Sequence, residues 1–443
     1  MKKLIISSLA LLFVLFVIGG PAFAAYDMDG ETITIKYPLD VPEYYTDGPG
    51  VDRVERVEQE YNTNIEFVYG PWQDFEEEVM SGVLAGDVPA DAYVMQVPWM
   101  ENLAAEGYLY PLDTAVDMVE YYEERVPEIN NFYADVTFGP NIYGLPLVSD
   151  ADPYTTSHIM GLAWNKSEFE RLGLTSLYEL EAAGEWNYET FMDKVAVLTQ
   201  DKSDDGEIDY WGYGEYIDII DPTFFVHANG GTLFREEDGQ IVFAYDDPEA
   251  MEALELYYDL AENGYIGPDD PDEAAMFTQE SHNFVNVTEH EDEWGWITYP
   301  TGEYGPERGM APVWLNYTMV FPATIDGERA EAQIEIMSDL YQMTTDYLAM
   351  SEDEYEQEML DEWAYSQNIA DRESIEYFTH MLYNRNILNK HNYLADYELF
   401  GLVWLIANAE LTPSESIAEL GPAVQGGIDD LFEDIGRWAV EID

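Results

Sequence analysis

The chain has no cysteine in 443 residues. That excludes disulfides, thiolate metal sites, cysteine nucleophiles and a lipid-modified cysteine. Positive charge is scarce as well. Only 17 Lys and Arg stand against 91 Asp and Glu, for a net charge of −74. A nucleic-acid surface needs clustered cations to displace condensed counterions, so DNA and RNA are excluded as partners. Docking on anionic lipid headgroups is disfavoured for the same reason. After the first two dozen positions no apolar run reaches the roughly 18 residues of a membrane span. Familiar catalytic signatures are missing too. There is no G-x-S-x-G and no Walker loop, and Gly212-x-Gly214 lacks the third glycine of a dinucleotide fingerprint. His290-Glu291-Asp292-Glu293-Trp294 lacks the second histidine of a zinc-protease helix. His282 and His290 flank an acid-rich stretch that reads as an ordinary acidic loop before it reads as a metal site.

What is present is a globular composition, 47% hydrophobic and 14% aromatic. The length is a soft prior of about three domains at about 150 residues each. Acids run from Asp27 to Asp443 with no block structure. Such a chain repels itself at low ionic strength, and concentrated salt screens the repulsion. The expectation is a protein that works in high salt.

The N-terminus reads as an address. Lys2-Lys3 is a short basic region, and no charge follows from Leu4 to Tyr26. An apolar run to Ile18 is broken by Gly19-Gly20-Pro21, and Ala22-Phe23-Ala24 is a small-x-small cleavage pattern. A signal peptide over 1–24 is expected, against the alternative of a retained membrane anchor. Its removal takes two lysines and no acid, so the mature chain is more acidic still.

Beyond it, strands and helices alternate. Thr32–Tyr37, Asn64–Tyr69 and Ala92–Met95 read as strands; Val51–Tyr61 and Trp72–Leu84 read as helices. This β-α-β-α-β order implies a parallel sheet with helices on its faces, which binds ligands outside the carboxyl ends of its strands. Leu145–Val148 and Ser157–Trp164 read as strands that open a second unit, with helices at Lys166–Leu172, Leu177–Ala183 and Tyr188–Leu198. Asp247-Pro248 is a helix start and Thr412-Pro413-Ser414-Glu415 a capping box. The last third is mostly helical.

Seven segments in order carry a family resemblance. They are Leu84-Ala85-Gly86-Asp87-Val88-Pro89-Ala90-Asp91, Gly107-Tyr108-Leu109-Tyr110-Pro111-Leu112-Asp113, Ile142-Tyr143-Gly144-Leu145-Pro146, Trp164-Asn165-Lys166, Glu185-Trp186-Asn187-Tyr188-Glu189-Thr190-Phe191, Asn229-Gly230-Gly231 with Asp238-Gly239, and Thr412-Pro413-Ser414-Glu415. The chain resembles the extracellular solute-binding proteins that serve carbohydrate ABC importers. The resemblance implies an α/β, two-lobe periplasmic-binding-protein fold of the type II kind. Each lobe would be a mainly parallel sheet flanked by helices, with ligand in the cleft between. It implies a monomeric receptor that closes around a solute and hands it to a membrane permease, with no catalysis. The family's lipobox cysteine is absent, which implies a periplasmic or extracellular protein with no lipid anchor through cysteine. The expected division is lobe 1 from 25–148 plus about 272–323, and lobe 2 from about 149–271 plus 324–443.

Sugars are held by aromatic faces over C–H surfaces and by carboxylates and amides on hydroxyls. With 11 Trp and 34 Tyr the supply is ample, and most of these rings serve packing. Position selects the candidates. Trp99 and Gln96 follow the third strand, and Trp72 opens the helix after the second. Tyr216 and Asp218 follow Tyr210–Gly214, read as a strand. Trp294 and Trp296 lie near the return into the first lobe, Trp314 precedes a candidate hinge strand at Tyr317–Val320, and Asp40 follows the first strand. Trp164 and Trp186 are expected to pack inward. Asp201, Ser203, Asp205, Glu207 and Asp209, with Gly206 for the turn, resemble a calcium loop, but Gly212 stands where an EF-hand needs its bidentate Glu. No cofactor is required; a structural Ca2+ at that loop is the one ion considered. A peptide or cationic solute, and a secreted glycan-degrading enzyme with paired carboxylates, stay open as alternatives.

Overall fold

The computed structural model describes residues 26–38, 43–48, 50–71, 74–125, 136–138, 140–145, 147, 157–217, 220–237, 240–280, 287, 290–325, 327–341, 372–387 and 396–435. Alternating β-branched residues make β1 (Thr32–Pro38), which buries Ile33, Ile35 and Tyr37 on one face. After the short α1 (Glu43–Thr46), helix α2 (Val51–Tyr61) buries Val54, Val57 and Tyr61, spaced three and four apart. It stops where Asn62 turns left-handed at φ 49°, a conformation asparagine tolerates. Strand β2 (Asn64–Gly70) then pairs parallel with β1 on one side. Helix α3 (Phe75–Ala85) leads to β3 (Ala92–Gln96) on the other side. Helix α4 (Val97–Ala105) begins where β3 ends, with Pro98 in its first turn. Helix α5 (Met118–Arg125) and the hairpin of β4 (Thr137–Phe138) and β5 (Asn141–Ile142) complete this part.

The second half opens with β6 (Ser157–Asn165), α6 (Lys166–Leu172), α7 (Leu177–Ala182) and α8 (Tyr188–Leu198). Asn165 caps α6 by accepting from the Glu168 amide at 2.8 Å, and Asn187 with Thr190 forms a capping box on α8. Next come β7 (Tyr213–Glu215), α9 (Asp221–Ala228), the hairpin β8 (Phe234–Glu237) and β9 (Gln240–Phe243), then α10 (Pro248–Glu262) and β10 (Ile266–Pro268). The chain continues through β11 (Met276–Glu280), β12 (Trp294–Ile297), β13 (Ala311–Val320), α11 (Gly327–Tyr341), α12 (Arg372–Tyr383), β14 (Arg385–Ile387), α13 (Asp396–Ala407) and α14 (Pro413–Ile435).

One sheet runs through both halves in the order β10-β7-β11-β6-β13-β3-β1-β2, with β12 on β6 and β14 on β13. Strands β1, β2 and β3 are parallel, as are β10, β7 and β11, while β6 runs antiparallel to β11 and β12. Strand β13 joins the halves. Its first residues pair with β14 and β6, its last with β3 through Tyr317↔Gln96 to Val320↔Tyr93, and the register slips between Val313 and Asn316.

This topology differs from the expected division in two places. Strands β11 and β12, expected in the first lobe, pair with β6 in the second. Helix α11, expected in the second, packs on α2 in the first. Tyr61 donates to Asp339, the Tyr37 and Tyr341 hydroxyls meet, and Arg53 reaches the Leu340 carbonyl at 3.3 Å. The reason is that the return to the first lobe happens along β13 itself. Two smaller differences concern strands. Tyr210 and Trp211 make only isolated bridges before β7, and Leu145 makes a single bridge to Met319, with Pro146 and Val148 outside the described residues.

Candidate ligand cleft

Four side chains meet where strand ends from both halves converge. Gln96 closes β3, Tyr317 faces it on β13, Glu280 closes β11, and Tyr216 follows β7. The Gln96 amide donates to the Tyr317 hydroxyl at 3.3 Å. The Tyr216 hydroxyl donates to Glu280 Oε1 at 2.7 Å. Burial pushes the Tyr317 phenol up; the Gln96 bond opposes this and the charge of Glu280 adds to it. Glu280 therefore acts on Tyr216 from its own half and on Tyr317 from the strand that enters the other. Gln96 and Glu280 are 6% and 3% exposed. The Gln96 carbonyl oxygen has no hydrogen-bond partner among the described residues. A buried acceptor left in this way is costly, and a ligand hydroxyl or amine would satisfy it. The set offers acceptors and phenols in fixed directions, the chemistry of hydrogen-bonded recognition.

Among the sequence candidates, Gln96 and Tyr216 stand in this constellation. Trp99 is buried on the first turn of α4, three residues after Gln96. Trp314 lies on β13, and its side chain is outside the described residues, as are Trp72, Asp40, Asp218 and His282 altogether. Trp294 and Trp296 sit in the core of the second half. Trp294 packs on Phe277 with ring centroids 5.3 Å apart. Trp296 is fully buried, its indole N–H 3.1 Å from the Met381 sulfur and its ring over Gly161, where a Cβ would clash at 2.2 Å. Period-two alternation puts both on β12, and pairing with β6 closes them in. Trp164 and Trp186 pack inward, the latter donating to the Thr298 carbonyl at 2.9 Å.

The acidic loop at 201–209 folds on itself. Asp209 accepts from the Lys202 and Ser203 amides at 2.6 and 2.9 Å, and the first of these holds its carboxyl below the usual range. Asp201 accepts from the Asp205 and Gly206 amides at 3.2 and 2.7 Å, and Asp205 from Glu207 at 2.9 Å. Among the described residues no group of three or more His, Asp or Glu side chains is set to hold a metal. A cavity of about 500 Å³ is lined by other residues, Asp113–Val119 with Thr137, Pro140 and Ile142.

Sequence reasoning missed Glu280 and Tyr317 as contact residues. Glu280 is one acid among 91, and what sets it apart is burial. Tyr317 had a signal, since it opens the segment read as a hinge strand.

The model of the family described as bacterial extracellular solute-binding protein matches residues 51–333. Solved structures align along nearly the whole chain. A cyclo/maltodextrin-binding protein complexed with maltotetraose superposes with a TM-score of 0.65 at 13% identity, covering 90% of this chain and 97% of that one. The GacH receptor of Streptomyces glaucescens, solved unliganded and with acarbose, gives 0.62 at 16% identity over 90% and 99%. UgpB from Mycobacterium tuberculosis in complex with glycerophosphocholine gives 0.62 at 14% identity over 90% and 98%. These likenesses show the two-lobe periplasmic-binding-protein fold.

Proposed function

The chain belongs to the bacterial extracellular solute-binding proteins, and on that premise we propose that it is a receptor for a mono- or oligosaccharide. It binds the sugar between its lobes, closes around it and delivers it to the permease of an ABC importer. The observation that carries this reading is the chain of Gln96, Tyr317, Glu280 and Tyr216 across the two halves, with a buried Gln96 acceptor that has no partner among the described residues. The similar structures with maltotetraose and acarbose support it. Trp99, Trp72, Trp314, Asp218 and Asp40 join them by their place in the sequence. The protein is exported by a signal peptide over 1–24 and acts as a monomer in concentrated salt. It performs no catalytic step and needs no cofactor. A calcium ion at the Asp201–Asp209 loop would be structural.

One observation favours a second ligand class. Glu280 is a buried carboxylate in a strongly negative molecule, and a similar protein holds glycerophosphocholine. A cationic or choline-bearing solute is the runner-up.

Thermal melts of the chain from Ala25 onward, in molar KCl with and without calcium, test both. Maltotriose should raise the midpoint by several degrees, and Glu280→Ala should abolish the shift. A shift with glycerophosphocholine or polyamines and silence across sugars would replace the first reading by the second. Release of sugar fragments from a glycan would overturn both.

A further inference from the structure

Beneath the cleft tyrosine lies a carboxyl with no cation near it among the described residues. Asp221 opens α9 and is fully buried. Its Oδ2 accepts from the Tyr213 hydroxyl and, at 3.1 Å, from the Tyr257 hydroxyl. Its Oδ1 faces the Tyr216 amide at 3.4 Å, and its own amide donates to the Ile217 carbonyl at 2.8 Å. Asp221 thus ties down Tyr216 and Ile217, the first two residues of the loop that leaves β7. The hydroxyl chain runs on from Tyr213 to Thr278 at 2.7 Å and to Tyr299 at 2.9 Å. On the other side, the Tyr257 hydroxyl is 3.0 Å from Glu215 Oε2, so one phenol bridges two carboxyls. Rings close the box: Phe225 lies 4.9 Å from Tyr299 and 5.6 Å from Tyr213 and Tyr257.

A single phenol proton cannot serve both acids. Either Tyr257 donates to Asp221, or Asp221 carries a proton and donates to Tyr257, which then donates to Glu215. The first arrangement leaves Asp221 a full carboxylate toward the Tyr216 amide; the second leaves it a weaker, neutral acceptor. Burial pushes the Asp221 carboxyl up to about 7; the Tyr213 bond opposes this and the charge of Glu215 adds to it. The groups facing Asp221 are Tyr213 and Glu215 from β7, Thr278 from β11, Tyr299 beyond β12 and Tyr257 from α10.

We propose that Asp221 is a positioning residue for Tyr216, and that the proton shared along Asp221–Tyr257–Glu215 sets how firmly the cleft tyrosine is held against Glu280. This deepens the receptor reading and rests on it for its link to solute affinity. The loop is held more tightly when Asp221 is ionised, so a ligand gripped by Tyr216 binds more tightly as pH rises through neutrality.

The test is amide hydrogen exchange at Tyr216, corrected for intrinsic rate, across pH 5.5 to 8.5 in molar KCl. In the wild type its protection should rise about tenfold, the difference between a neutral and a charge-assisted hydrogen bond. In Asp221→Asn it should be flat. In Tyr257→Phe, which cuts the link to Glu215, the midpoint should move. The same profile in wild type and Asp221→Asn, or protection that falls with pH, would overturn the proposal. If Asp221→Asn does not fold, Tyr257→Phe decides, and an unmoved midpoint overturns it. Maltotriose affinity should track the protection. Protection that behaves as expected with no maltotriose binding at any pH supports the positioning role and sinks the sugar reading alone.

Discussion

Acids drawn out of water are met in two ways that do not divide by lobe, since Glu168 in the second half is held by Arg171 and Lys202. In the first way, cations meet them. Lys36 pairs with Glu78, whose second oxygen accepts from Tyr93 at 2.8 Å, and the ammonium lies 5.3 Å from the Phe75 ring. Arg329 and Gln333 both reach Asp91 at 3.1 Å, and the Thr34 amide donates to its other oxygen at 3.0 Å. In the second, Asp221 is met by phenols and a backbone amide. With 17 Lys and Arg for 91 acids, most carboxyls of this chain have no cation to pair with. The consequence is a response to pH. Ringed by hydroxyls and away from water, the Asp221 carboxyl titrates at about 7.

Breaking the cation side should have the largest effect. Lys36→Met leaves Glu78 half-buried against a phenol alone and is expected to cost about 3 kcal/mol. Urea unfolding in molar KCl would measure it. A cost below about 1 kcal/mol, the size expected of an exposed pair, would erase the contrast.

The hydroxyl side is broken by pH itself. The folded Asp221 carboxyl titrates at about 7, above its ordinary 3.8, so the unfolded chain releases that proton first as pH rises. Its contribution is complete below pH 3.8 and is lost as pH climbs to about 7. About 2 kcal/mol of the loss should fall between pH 5.5 and 7.5. Unfolding of wild type minus Asp221→Asn isolates it, since the other acids cancel. A difference curve with no slope would refute it.

The smallest effect sharpens the comparison by having no charge at all. Asn187→Ala removes the neutral cap of α8 and should cost about 1 kcal/mol, unchanged by pH and by KCl. A salt-dependent cost would mean that the caps, too, belong to the electrostatic part of the molecule.

How far the sequence was legible depends on the range of the interaction. Local patterns were clear. Val54, Val57 and Tyr61 marked α2 to the residue, and Thr412 with Glu415 formed the capping box they spelled, with the Thr412 amide donating to Glu415 at 3.1 Å. Tertiary context was not. Asp221-Pro222 and Asp247-Pro248 are the same dipeptide at a helix start, Asp221 as the first residue of α9 and Asp247 as the cap before α10. One lies fully buried among tyrosines, and the other pairs with Arg235 at 3.0 Å near the surface. Nothing within either helix separates them; the packing of β7, β11 and α10 around α9 does. The cleft shows the same limit. Gln96 and Tyr216 were visible as residues at strand ends, but their partners Tyr317 and Glu280 arrive from more than sixty residues away. Trp294 and Trp296 were picked for their place before the return to the first lobe, whereas β12 pairs with β6 and both rings are buried there.

Strand β13 has a mechanical meaning beyond its place in the sheet. It is riveted to β3 along its last residues and to β14 and β6 along its first, and the ladder slips between Val313 and Asn316. Along this path between the lobes, a twist of one against the other is a torsion of that short stretch of backbone. Such an axle is stiff to sliding, because sliding would break ladder bonds on both sides at once, and compliant to rotation at the slipped register. Lobes carried on such an axle are guided toward rotation and away from sliding.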